Sequence, residues 1–419
     1  MNNDFDQKMQ RYADLAIHVG LNLQKDQRLL IRGPLLYGAP ISAAPLVNAV
    51  VKSAYQAGAR RVDVFWGDDQ TELLRFQYAP RDSLAEMADW KGDGPFQHVQ
   101  NGDAILGITG INPDLLKGQD PELVTAYTQA IQKRLAPFSN AVSTNMVQWL
   151  VLAAPTPGWS AKVYPHLSAD EAVKKLWETL FAFCRLDQAD PIAAWKKHTL
   201  SLQNRAEYLN SKKYTHFLYR GPGTDFKVGF THRSTWIAAS EKSQGSIPFI
   251  ANLPTEEVFT APHREQADGV IHSAMPLNYS GTLIDDFSLR FENGRVVNAS
   301  ARVGESVLQQ IIATDDGAGR LGEVALVPSS SPISRSGTLF YNTLLDENAS
   351  CHLALGRAYQ TTVKGGGNWS DEEFNANGGS TSLVHVDFMV GSDKLDIDGL
   401  LPDGTTEPVF QAGEWAFDL

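Results

Sequence analysis

Gln-Arg-Leu-Leu-Ile-Arg at 27–32 and Arg-Val-Asp-Val-Phe-Trp at 61–66, with the amphipathic stretch Ala44 to Ala57 between them, decide the class of the N-terminal half. The two apolar runs read as short strands. The stretch between them has a helical rhythm and stops at Gly58. A strand–helix–strand unit of this kind favours a parallel sheet. Upstream, residues 7–24 place Ala13, Leu15, Ala16, Val19 and Leu23 at helical spacing. Downstream, Gly102 to Gly110, a helix over roughly 120–135 and the run Met146 to Ala154 continue the alternation. Residues 170–210 are helical in pattern and are interrupted at Asp190-Pro191. No Gly-x-Gly-x-x-Gly opens a helix and no Gly-Lys-Ser/Thr loop occurs; Gly33 and Gly38 read as turn chemistry. A nucleotide site is therefore disfavoured.

The chain has 419 residues, more than one ordinary core accommodates, so two domains are expected. Residues 1–195 form an α/β N-terminal domain with a largely parallel sheet. Residues 196–419 form a β-rich α+β C-terminal catalytic domain. In this second half the texture changes to short runs and frequent turns. Strands are expected at Thr215–Tyr219, Phe226–Phe230, Val270–Ala274, Leu383–Val390 and Leu395–Leu400, with a hairpin turn at Glu292–Arg295. Gly304–Ala313 and Ser336–Leu345 are helix candidates.

A net charge of −12 argues against a nucleic-acid partner, which needs a Lys/Arg surface. Cys184 and Cys351 lack metal-type spacing and make a disulfide framework unlikely on count alone. The acidic N-terminus has no apolar signal core, and the run Trp149 to Pro155 is too short to cross a bilayer. The expected setting is the cytoplasm, without a membrane partner.

The chemistry-bearing residues lie in the second half. In His385-Val-Asp387, residues two apart on a strand project from the same face, and divalent ions accept both ligand types. His352 sits in the apolar run Cys-His-Leu-Ala-Leu, where a core histidine is the plain alternative. Glu347 lies in a polar turn and Tyr359 reads equally as packing. Glu256 and Glu257 follow Pro254-Thr255; if that segment is extended, only one of them points into a site. Glu323 opens an apolar strand after Gly322, and a carboxylate there needs a partner. No serine-hydrolase elbow and no His-Glu-x-x-His is present. Singly each motif is weak; together they read as a hydrolytic metal centre.

Four blocks carry a resemblance: Asn-Leu-Pro-Thr-Glu-Glu-Val-Phe-Thr (252–260), Gly-Glu-Val-Ala-Leu-Val (322–327), the run from Leu339 to Tyr359, and His-Val-Asp-Phe-Met-Val-Gly (385–391). In order and spacing they resemble the aminopeptidase T family of thermophilic-type metallo-aminopeptidases. The resemblance implies a cytoplasmic, usually dimeric exopeptidase that removes the N-terminal residue of peptides. It implies two divalent ions, with zinc, cobalt, manganese and magnesium all compatible with the ligand types. It implies Glu257, Glu323, Glu347, His352, His385 and Asp387 as ligands and Tyr359 as the oxyanion donor. Glu256 is a candidate to support the ligands from behind without touching an ion, and the bridging carboxylate stays open.

The chemistry is coherent without the family. Paired divalent ions lower the pKa of a water and polarise a carbonyl. A carboxylate, with Glu323 the first choice, moves the proton to the leaving amine. The phenol of Tyr359 donates to the tetrahedral oxyanion. The alternatives are a dinuclear amidase or deacylase that needs no free amino terminus, and a binding protein whose metal is structural.

Overall fold

The computed structural model describes residues 3–33, 38–279 and 281–419; the turn expected around Gly33–Gly38 lies partly outside them. The chain forms two compact units, one of Met1–His198 with Ser240–Pro254, the other of Thr199–Ala239 with Thr255–Leu419.

In the first unit the strands Arg28–Arg32, Arg61–Val64, Ala104–Thr109, Trp149–Ala153 and Asn252–Leu253 form a parallel sheet. Its order from edge to edge is Asn252–Leu253, Trp149–Ala153, Ala104–Thr109, Arg28–Arg32, Arg61–Val64. Both faces are covered, which is why the strand sequences are apolar runs and not alternating ones. Leu29, Ile31, Leu106 and Ile108 pack with residues of Asn3–Leu15, Ala44–Gln56 and Ala169–Phe183. Leu30 and Ile105 face the other way, against Val99, Phe138 and Ala141 of Asp89–Gln100 and Pro121–Ser143. The helix Ala44–Gln56 ends before Gly58, whose φ of +95° is the left-handed conformation that glycine tolerates best.

The segment 240–254 was not expected in this unit. A short hairpin, Ser240–Lys242 with Pro248–Ile250, precedes the two-residue edge strand Asn252–Leu253. Neither piece is long enough to display a period in the sequence.

The second unit contains two antiparallel sheets. The larger has nine strands, and its central members include His216–Gly221, Thr224–Phe230 and Pro262–His272. The hairpin Thr282–Glu292 to Arg295–Val303 turns through Asn293 and Gly294, both at positive φ, as a two-residue hairpin requires. The smaller sheet runs His385–Met389, His352–Gly356, Leu321–Leu326, Val258–Thr260, Ile237–Ala238. One apolar cluster joins the sheets: Phe217, Phe226 and Val228 from the larger, with Val324, Leu353, Leu355, Val386 and Phe388 from the smaller. The helix expected at Gly304–Ala313 is present as Glu305–Ile312. The helix expected over Ser336–Leu345 is not. Short helices Pro332–Arg335 and Thr343–Asp346 occupy the region, separated by Gly337 (φ +60°) and Tyr341 (φ +55°), which helical backbone does not allow.

Gly356 ends its strand at φ +103°, and a Cβ there would lie 2.1 Å from the Val384 carbonyl oxygen. Gly356→Ala should therefore destabilise the second unit by about 1–3 kcal/mol, the usual scale of such backbone strain, seen as a lowered unfolding midpoint in calorimetry. An unchanged midpoint would contradict this reading of the strand end.

Candidate metal centre

The smaller sheet separates two chemistries by the period of its strands. In His352–Gly356, Leu353 and Leu355 face the core, so His352 and Ala354 face the opposite side. In His385–Met389, Val386 and Phe388 are core, leaving His385 and Asp387 on the same outer face. Register aligns them: Ala354 lies opposite Asp387, and Gly356 opposite His385.

Glu323 reaches that face through an irregularity. Leu321 pairs with Leu355 and Glu323 with Ala354, so Gly322 is an extra residue in a bulge. Leu321 is core, and residues two apart on a regular strand share a face. The bulge breaks that rule and turns Glu323 outward, while Val324 and Leu326 return to the core. A Cβ on residue 322 would stand 2.4 Å from the Arg357 carbonyl oxygen, so only glycine fits the bulge unstrained. Glu257 arrives from the far side of the sheet. It precedes Val258, a core residue, and Val258 pairs with Leu326.

The result is two overlapping groups of potential ligand atoms. Glu257, Glu323 and His352 form one, and Glu323, His385 and Asp387 the other, with all atoms of a group within 4.8 Å of one another. His352 Nε2 is 3.3 Å from Glu257 Oε2 and 3.3 Å from Glu323 Oε1. His385 Nε2 is 3.1 Å from Asp387 Oδ1 and 3.8 Å from Glu323 Oε2. Thus the two oxygens of Glu323 address different histidines. Ala354, opposite both Glu323 and Asp387, is a small residue at the centre of the constellation.

The donor set fits divalent ions. Glu257 Oε2, His352 Nε2 and Asp387 Oδ1 are buried and satisfy no hydrogen bond of usable geometry. Both imidazoles are oriented from behind: His352 Nδ1 lies 3.1 Å from the Ser350 carbonyl and His385 Nδ1 lies 2.7 Å from the Arg357 carbonyl. With Nδ1–H donating to the backbone, each Nε2 lone pair is free for a metal, the usual outer support of a ligating histidine.

The other expected site residues take different places. Glu347 is in the turn Glu347–Ala349, outside both groups, though its charge interacts with Glu257, Asp387 and Glu323. Tyr359 is half-buried, with its ring 5.1 Å from that of His385 and 6.2 Å from that of Phe259. Glu256 is buried and outside both groups. Its backbone N–H donates to Asn348 Oδ1 at 2.7 Å, and Asn348 Nδ2 donates to the Leu344 carbonyl. Asn348 therefore ties the Glu257 segment to the turn that carries Glu347. Sequence reading missed Asn348, Ala354 and the carbonyls of Ser350 and Arg357, because small residues and backbone groups carry no chemical signature.

The electrostatics record the crowding. Burial pushes the Glu323 carboxyl up, opposed by His352 and His385. Burial, then the charges of Glu257 and Asp387, push Glu347 well above the usual carboxylate range. Burial also raises Asp387, but the charge and hydrogen bond of His385 together with the charge of His352 outweigh it and hold that carboxyl low. Burial would lower both histidines. Glu257 and Glu323 instead hold His352 well above the ordinary range, and Asp387 and Glu323 raise His385 to about 10. Tyr359 is raised well above its ordinary value by burial and then by Glu323 and Asp387, so its phenol stays protonated.

These features make a candidate carboxylate–histidine metal site on a sheet face, and the wider comparison gives the family that carries it. The chain belongs to the thermophilic metalloprotease (M29) family, whose pattern matches residues 5–415. It is 43% identical over 417 residues, all of both chains, to aminopeptidase 2 of Geobacillus stearothermophilus. It is 40% identical to aminopeptidase T of Thermus thermophilus, covering 98% of this chain and 99% of the relative. The solved wild-type AmpT from Thermus thermophilus superposes with a TM-score of 0.91 at 39% identity, covering 99% of this chain and 100% of that one. The protein is a metallo-aminopeptidase.

With His352 and His385 as candidate ligands, ion uptake by chelator-stripped protein is expected to displace their Nε2 protons. Because the folded-state pKa of His385 is raised, its protonated form stabilises the stripped fold fully below the unfolded value, and that contribution is lost as pH rises through about 10. At neutral pH, zinc addition should therefore release protons, and His385→Asn should release about one fewer per chain in an indicator-dye titration. Equal release by the two proteins would show that His385 is not displaced.

Proposed function

We propose that the second unit holds two divalent ions, that Glu323 bridges them, and that the site removes the N-terminal residue from peptides with a free amino terminus. The observation that carries the bridge is that Glu323 alone belongs to both ligand groups. Glu257 and His352 would complete one position, His385 and Asp387 the other. Zinc, cobalt, manganese and magnesium all accept such oxygen–nitrogen sets. Bound there, the ions would supply Lewis acidity, making a water nucleophilic at neutral pH and polarising the scissile carbonyl.

The chain's own groups do the rest. With both oxygens of Glu323 directed at ligand positions, the proton-transfer role first expected of Glu323 passes to Glu347. That residue is outside both groups, and burial with the charges of Glu257 and Asp387 raises the proton affinity of its carboxylate. In its ionised form it would take the proton from the attacking water and return it to the leaving amine. Tyr359 keeps its proton and would donate a hydrogen bond to the oxyanion. A free α-amine, approaching as a neutral nitrogen donor, would account for the need for an unblocked amino terminus. We extend the reading to a division of labour near residues 195/196, a cytoplasmic setting and a homodimer, in keeping with the family resemblance. Among the described residues no helix is long and apolar enough to cross a membrane.

Chelator-stripped enzyme resupplied with cobalt or zinc should hydrolyse leucine amide and leave its N-acetylated twin intact. Cleavage of both would instead assign an amidase without a free-amine requirement.

Variants separate the roles. Glu323→Gln should lose both ions by metal analysis. Glu347→Gln should keep them while kcat falls, and loss of one ion there would make Glu347 a ligand instead. Tyr359→Phe should lower kcat by about 10²–10³ with little change in KM, as removal of an oxyanion donor does.

A further inference from the structure

A second unpartnered group lies in the first unit, within the sheet that carries no part of the metal centre. Arg32 is the last residue of the strand Arg28–Arg32 and lies opposite Gly107. It is 5% exposed, and its Nε and Nη1 are buried without a hydrogen-bond partner. The guanidinium carbon stands 4.5 Å from the centroid of the Phe138 ring. By strand alternation it shares the face of Leu30, which packs with Val99, Ile105, Phe138 and Ala141.

We propose that Arg32 is the receptor for a small oxyanion, a carboxylate or a phosphate, bound at the carboxyl edge of the parallel sheet. Position is the first support. From Arg28–Arg32 the chain passes to Arg61–Val64 on one side, and the next sheet strand, Ala104–Thr109, lies on the other. The connections diverge at that pair of strands, and the crevice outside their carboxyl ends is where open α/β sheets bind ligands. Chemistry is the second. Burial alone acts on the guanidinium, drawing its pKa down to about 10, and no carboxylate offsets the effect. A buried cation without a counter-charge is costly, and the contact with Phe138 recovers only part of that cost. The planar fork of an arginine suits the paired oxygens of a carboxylate or phosphate. The absence of a glycine-rich phosphate loop in the sequence points to a small anion and not a nucleotide.

The test is thermal unfolding of the full-length protein in a chloride-matched buffer, with and without inorganic phosphate or acetate. Saturating anion should raise the wild-type Tm by about 2–4 °C, since a ligand that binds only the folded state stabilises it. R32M should lose that response and, without added anion, be at least as stable as wild type, because an unpaired buried charge has been replaced by an apolar side chain. A larger response to acetate identifies a carboxylate ligand, and a larger response to phosphate a phosphoryl one. Equal responses in wild type and R32M, or none in wild type, would overturn the proposal. If R32M does not fold, R32Q replaces it, and an anion response in R32Q equal to that of wild type would equally overturn the proposal.

Discussion

Three carboxylates and two imidazoles occupy one face of a five-stranded sheet where little water reaches them. Like charges at such separations in a low-dielectric setting cannot all persist without compensating positive charge. The compensation is written into the titration of the groups. The imidazoles are pulled toward their protonated forms, and Glu323 and Glu347 toward their neutral ones. A divalent cation does the same work with a single particle and satisfies the buried atoms that hydrogen bonds leave over. Much of the surrounding architecture serves this constraint, from the carbonyls behind each histidine to Asn348 clamping the approach of Glu257.

Some of this was legible in the sequence. His385-Val-Asp387 declares its geometry through the period of a strand, and the two residues do share a face. If extended, the pair Glu256-Glu257 could send only one carboxylate into a site; both are buried, and Glu257 is the one that meets His352. Glu323 could be suspected from a charge beside an apolar run, yet its direction could not be read. Simple alternation from Leu321 would have sent it into the core. Nor could spacing show that Glu347 stands outside both ligand groups, since that depends on how a turn is folded and not on an element's period. The expected helix at Ser336–Leu345 failed for a related reason: positive-φ residues other than glycine leave no mark in a propensity pattern.

The N-terminal half was legible for the opposite reason. Strands buried on both faces are uniformly apolar, and helices between them are amphipathic, so the alternation is visible at low resolution. What escaped was the edge strand Asn252–Leu253, contributed from far along the chain and too short to register. Within so regular a layer Arg32 is conspicuous. Leu30, Val99, Ile105 and Phe138 on its face are apolar, and a charged side chain kept in that company is maintained against its own solvation.

The bulge at Gly322 gives the catalytic sheet a reading frame. On one side of it the strand displays aliphatic residues to the core; on the other, the parity is inverted and a carboxylate emerges on the metal face. Adding or removing one residue between Glu323 and Leu326 would invert that parity, carry Glu323 into the apolar interior and abolish the one side chain shared by both ligand groups. Evolution can therefore change the identity of many residues in this strand more readily than its length. Along Glu323–Leu326, insertions and deletions are the forbidden edits, in the way that frameshifts are in a gene.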